Sequence, residues 1–140
     1  MIDPDILIEK TNSIQNCLKQ IRDTTKDDPQ LETLNAQDIV VLNLQRAIQL
    51  TIDMASHIIS SERLGIPKSI KETFQILEQN RYIHRDLSTK LQKMVGFKNI
   101  AVHDYQALDI DILKSIITLH LGDFQLFYQE IIKKANKGEH

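Results

Sequence analysis

Residues 38–61, DIVVLNLQRAIQLTIDMASHIISS, carry too much apolar surface for a helix that lies on the outside of a protein. Val40, Leu44, Ile48, Thr51, Ala55 and Ile58 recur at three- and four-residue intervals and form one stripe of an α-helix. Ile39, Leu42, Leu50, Ile52 and Ile59 widen that stripe, so the helix must be buried against more than one neighbour. What remains is a narrow polar strip of Arg46, Gln49, Asp53, Ser56, His57 and Ser60. Such a strip faces solvent or, in a site made by two chains, borders a cleft.

The rest of the chain reads as helices arranged around this one. Asp3-Pro4 has the form of an N-cap followed by proline in the first turn, and Leu7, Ile14, Leu18 and Ile21 mark the apolar face that follows. The polar, acidic run from Thr24 to Pro29 reads as the first loop. Leu64-Gly65-Ile66-Pro67 breaks the chain, and Ser69 caps a short helix with Glu72 placed to close a capping box. A turn at Asn80-Arg81-Tyr82 leads into another helix from about Ile83. Asp109 caps a last helix whose inward face is Leu113, Ile116, Ile117, His120, Phe124, Phe127 and Ile131, with Lys133 and Lys134 complementing its C-terminal dipole. There is no strand alternation. The expected fold is all-α, a compact antiparallel bundle of about five helices, with residues 1–140 forming a single domain.

Composition narrows the function. At 140 residues the chain can bury roughly two-thirds of its unfolded surface. A single cysteine, Cys17, excludes an intramolecular disulfide, and no Cys/His spacing suggests a metal site, so neither metal nor cofactor is expected. No apolar run approaches a membrane span and no basic leader opens the chain, so a cytoplasmic protein without membrane contact is expected. The formal net charge of −2 hides an uneven distribution. Residues 1–62 hold five Lys/Arg against ten Asp/Glu, residues 63–103 hold eight against three, and residues 104–140 hold four against six. An anionic partner therefore fits the middle third best.

That basic third ends in Gly96-Phe97-Lys98-Asn99-Ile100-Ala101-Val102-His103-Asp104-Tyr105, which sets a cation, an amide, an imidazole and a phenol close together. On the stripe Leu87, Leu91, Met94, Lys98, Val102 and Tyr105, the ammonium of Lys98 is the misfit and should seek an anion. Asn99 and His103 are four residues apart and share a side of the helix, as does Gly96, whose missing side chain admits another backbone or a ligand. Lys98 and His103 are five apart, about 140° around the axis. Both reach a single small group only if the helix is distorted, if Lys98 reaches round, or if a second chain completes the site; the last is favoured, because two copies of the helix meeting about a two-fold axis line one cleft. His103 suits a general base, because histidine titrates near pH ~6.5, and Lys98 suits stabilisation of a phosphorane. Asn99 suits orientation of the imidazole or the phosphate. His120 reads as a core histidine, while His57 and His84 sit in no constellation.

The order Gly-Phe-basic-Asn, then His103 and Tyr105, resembles the signature of the HepT-like toxins of the HEPN superfamily. The likeness extends over residues 38–112 through His57-Ile58-Ile59, Leu64-Gly65-Ile66-Pro67, Ser69 to Phe74, and Leu108-Asp109. It implies a HEPN-like helical homodimer with the motif helices facing across the two-fold axis. It also implies the toxin of a HepT/MntA-type toxin–antitoxin pair, acting as a ribonuclease on RNA. Its partner would be an MntA-like minimal nucleotidyltransferase antitoxin that transfers AMP to the motif tyrosine, here Tyr105. One position departs from the family pattern: Lys98 stands where the family has arginine, and lysine lacks the planar fork that grips two phosphate oxygens. The alternative is therefore a catalytically weak or inactive nucleotide- or partner-binding module that docks a separate nucleotidyltransferase.

Overall fold

The computed structural model describes residues 1–103 and 109–138, with side chains for all of these except 99–103 and 138. Six helices appear among the described residues: α1 (Pro4–Asp27), α2 (Leu34–Ser61), α3 (Ile70–Gln79), α4 (Arg85–His103), α5 (Ile110–Leu119) and α6 (Leu121–Gly138). α1 and α2 form the most extensive pair, an antiparallel hairpin, and α2 also touches α3, α4 and α6. The apolar girth of α2 is thus consumed on several sides, with Val40, Leu44, Ala47, Met54, Ala55 and Ile58 fully buried.

Local chemistry sets most of the helix ends. Asp3 accepts from the Asp5 N–H at 2.9 Å with Pro4 in the first turn, Ser69 Oγ accepts from the Glu72 N–H at 3.0 Å, and Asp109 accepts from Asp111 and Ile112. α2 and α3 both close in Schellman geometry: the Leu64 N–H reaches Ile59 O at 3.0 Å, and the Tyr82 N–H reaches Leu77 O at 2.9 Å. The left-handed residue these caps require is an arginine each time, Arg63 at φ 53° and Arg81 at φ 64°.

Two boundaries around the first loop differ from the sequence expectation. The first loop begins later, because α1 runs on to Asp27. The turn is then built by Asp28, whose carboxylate accepts from the Glu32 N–H, the Thr33 N–H and the Thr33 hydroxyl at 3.0–3.1 Å. Leu31, at φ 52° and 1 % exposed, plugs the hairpin beneath it. α2 accordingly starts at Leu34 rather than Asp38, since Thr33 Oγ1 caps the Ala36 N–H at 3.1 Å.

The expected last helix is two helices, so the bundle has six rather than about five. At His120 the backbone stops α5 (φ −124°, ψ −1°), and its carbonyl accepts from the Asp123 N–H at 3.1 Å to open α6. The imidazole Nδ1 lies 3.0 Å from the buried Asp123 carboxylate, which fixes the corner. The corner divides the expected inward face. Leu113, Phe124, Phe127 and Ile131 are fully buried, whereas Ile116, Ile117 and His120 are only half-buried. Phe127 meets Phe74 edge to face, centroids 6.2 Å apart, and locks α6 onto α3 at the centre of the core.

Candidate functional site

α4 presents the motif. Leu87, Leu91 and Met94 are buried along its inner stripe, and Phe97 is buried beside them. Lys98, next on that stripe, is half-buried. Its Nζ donates to Gln49 Oε1 on α2, and Gln49 Nε2 donates to Asp53 Oδ1 at 2.8 Å. The ammonium therefore meets a neutral carboxamide that a carboxylate holds in turn, and among the described residues it reaches an anion through that relay. Gln49 and Asp53 are four residues apart on α2, which is the spacing that lets one orient the other. Both belong to the polar strip already evident in the sequence, but nothing local linked that strip to Lys98, 49 residues away.

The same strip borders a depression of about 410 Å³ between α1 and α2, lined by Ser13, Asn16, Cys17, Arg46, Gln49 and Asp53. Arg46 is exposed, one turn before Gln49, so a guanidinium stands on the helix face that receives Lys98. Burial pushes the Cys17 thiol up, against the weaker opposing pull of Arg46. That thiol is a core group rather than a nucleophile.

Gly96 is exposed, and a Cβ built there would meet nothing within 4 Å. Among the described residues no contact demands the glycine. α4 remains helical through His103, so residues 99 and 103 stand one turn apart on its backbone and Lys98 stays about 140° around from residue 103. The side chains of Asn99 and His103, and the whole of Tyr105, lie outside the described residues.

His57 and His84 serve the scaffold. His57 Nε2 accepts from the Asp3 N–H at 3.2 Å and ties the start of α1 to the end of α2. His84 Nδ1 pairs with Glu130 Oε1, joining the α4 entrance to α6. Among the described residues no three His, Cys, Asp or Glu side chains gather as a metal site would need. No described helix is long and apolar enough to cross a membrane.

Comparison with known proteins agrees with this geometry. The family model described as Ribonuclease HepT-like matches residues 14–131. The mRNA nuclease HepT of Shewanella oneidensis is 44% identical over 128 residues, covering 91% of this chain and 96% of that protein. Among solved structures, a toxin–antitoxin complex with AMP-PNP contains a chain that superposes with a TM-score of 0.88 at 43% identity, covering 92% of this chain and 98% of that one. A tri-AMPylated Shewanella oneidensis HEPN toxin in complex with MNT antitoxin gives 0.87 at 44% identity, with the same coverage. A match of this extent, through the motif helix and the bundle that carries it, places the chain in the Ribonuclease HepT-like family.

Proposed function

We propose that this chain is the toxin of a toxin–antitoxin pair, an RNA endonuclease whose site is assembled from two copies of α4 and which a nucleotidyltransferase antitoxin silences at Tyr105. The observation that carries the reading is 44% identity over 91% of this chain to a relative named mRNA nuclease HepT, with the Gly96-to-Tyr105 motif in place. Solved relatives from toxin–antitoxin complexes, one of them tri-AMPylated and bound to MNT antitoxin, support the partner and the modification.

The chemistry follows from the groups on α4. His103 removes the 2′-hydroxyl proton, the 2′-oxygen attacks the adjacent phosphorus, and a phosphorane forms. Its bond to the 5′-oxygen then breaks, and that oxygen takes a proton as it leaves. The products are a 2′,3′-cyclic phosphate and a 5′-hydroxyl. Lys98 offsets the charge of the phosphorane. Its ammonium has three donors, so it can hold Gln49 and a phosphate oxygen together. Asn99 orients the imidazole or the phosphate. The 140° between Lys98 and His103 supports a homodimer, because the second α4 brings the missing group to each half-site. An open Gly96 supports the same arrangement, since none of the described residues requires a glycine there. For silencing, the Tyr105 hydroxyl attacks the α-phosphorus of ATP and pyrophosphate leaves. Bulky anions then fill the cleft and neutralise Lys98.

The test is incubation of the purified protein with labelled RNA, with and without chelator. Chelator-resistant cleavage ending in a cyclic phosphate, and its loss in His103→Ala, is expected; intact RNA refutes the nuclease reading. Co-expression with the antitoxin should add whole adenylate masses, and their persistence in Tyr105→Phe refutes that acceptor. The second reading, a binding module without catalysis, draws on Lys98 in place of the family arginine. Under it, Lys98→Arg gains cleavage that the natural chain lacks.

A further inference from the structure

At the opposite end of α4 from the motif, the α3–α4 turn and the last turns of α6 enclose an open groove of about 570 Å³. Arg81, Arg85, Lys133, Lys134 and Lys137 line it together with Tyr82. Five cations stand there against two carboxylates, Glu78 and Glu130, in a chain whose net charge is −2. Glu130 is already engaged, taking the His84 ring on one oxygen and the His84 N–H at 3.4 Å on the other. It thereby supplies the anion that the N-terminus of α4 favours, so the helix end is not itself the open site. Among the described residues none of the five cations has a carboxylate partner. Lys134 instead lies over the Tyr82 ring, 5.5 Å from its centroid.

One feature distinguishes this groove from scattered surface charge: its cations come from distant segments, two from the basic middle third and three from the C-terminal helix, and only the fold joins them.

We propose that this groove binds the phosphodiester backbone of single-stranded RNA, holding nucleotides that flank the one cleaved at the motif. The proposal rests on the ribonuclease reading for its link to catalysis, though not for RNA binding itself. Along α4 the groove entrance at Arg85 lies about 20 Å from Lys98 and about 27 Å from His103, at 1.5 Å per residue. A strand of several nucleotides spans that distance and a dinucleotide does not. Guanidinium forks at Arg81 and Arg85 and ammonium groups one turn apart at Lys133 and Lys137 match a chain of phosphates. The groove contributes affinity and reach without reading sequence.

The test uses the full chain carrying His103→Ala, a fluorescein-labelled oligouridylate of about 20 nucleotides, and anisotropy from about 50 to 200 mM salt. The variant Arg85→Gln/Lys133→Gln/Lys137→Gln alters three exposed side chains. It should bind about tenfold or more weakly, with a log–log salt slope shallower by about 2, which is three lost contacts at about 0.7 each on a single strand. The charge-keeping Arg85→Lys should bind within about threefold of the parent, and a control removing Lys10, Lys19 and Lys26 from α1 should match the parent. Equal affinity and equal slope in the groove variant overturn the proposal. With His103 restored, the groove variant should cleave the long RNA less efficiently but a dinucleotide as the parent does; equal loss on both overturns the flanking role. Groove-dependent binding of RNA that is never cleaved upholds the groove and removes the ribonuclease reading. Cleavage with groove-independent binding does the reverse.

Discussion

Replacing Gly96 with alanine separates the stability of the chain from the assembly of its site. Gly96 lies in the interior of the 19-residue α4, away from both ends, and among the described residues an added Cβ meets no atom within 4 Å. With none of these residues opposing the methyl, the full helix-propensity difference of about 0.8–1 kcal/mol should appear as a gain. For a domain of this size that corresponds to about 2–5 °C in Tm. If a second α4 packs over Gly96, the same methyl is overpacked in the assembled site, at a cost of about 1–3 kcal/mol. The dimer dissociation constant should then rise by roughly five- to a hundredfold, since 1.4 kcal/mol is a factor of ten. Urea melts at low protein concentration read the first effect, sedimentation equilibrium reads the second, and RNA cleavage should fall with dimerisation. A chain destabilised at all concentrations would refute the open-face reading of Gly96. An unchanged dimer constant with unchanged cleavage would refute the close approach of a second helix.

Other perturbations address the support of Lys98 and the scaffold. Gln49→Ala removes one hydrogen bond worth about 0.5–1.5 kcal/mol and should slow RNA cleavage by roughly two- to tenfold, whereas Gln49→Glu, which sets a carboxylate against Lys98, should slow it further. If both variants cleave at the parent rate, the relay from Lys98 to Asp53 has no role. Phe74→Ala deletes a side chain 1 % exposed and its edge-to-face contact with Phe127, and should cost about 3–5 kcal/mol in urea melts; a loss below 1 kcal/mol would show that this is not the centre of the core. Backbone hydrogen bonds from Thr33 and Glu32 hold the Asp28 carboxyl below its usual 3.8. A depressed folded pKa stabilises above the unfolded value and is lost as pH falls through the folded one. Asp28→Asn should therefore flatten the stability loss below pH 3.8, and an unaltered acid limb in pH-dependent melts would sink that assignment.

The helix caps were legible in advance because capping is a contact between residues two or three apart. Asp3, Ser69 and Asp109 were read from the chain and found at their stations. Thr33 carries no such local signal, because the apolar run that announces α2 begins several residues later and the turn before it depends on Asp28 gathering three donors. The corner at His120 was hidden for a different reason. The apolar residues on either side keep helical spacing, and only the position of α6 against Phe74 makes two short helices better than one long one.

For the site, the motif and the misplaced ammonium could be read directly, since an ordered set of residue types within ten positions is sequence information. The partner of that ammonium could not be. Gln49 is 49 residues away, and a polar strip on α2 looks the same whether it faces water or a lysine from α4. Lys133 and Lys134 were read as complements to a helix dipole; α6 runs on to Gly138 and brings them beside Arg81 and Arg85 instead. By itself, then, the sequence determined the all-helical class, the helix caps and the chemistry carried by α4, because periodicity, capping and residue type are local properties. The tertiary structure alone decided where Lys98 is anchored, where α5 ends and which cations share a groove, because each of those depends on the contact of surfaces far apart along the chain.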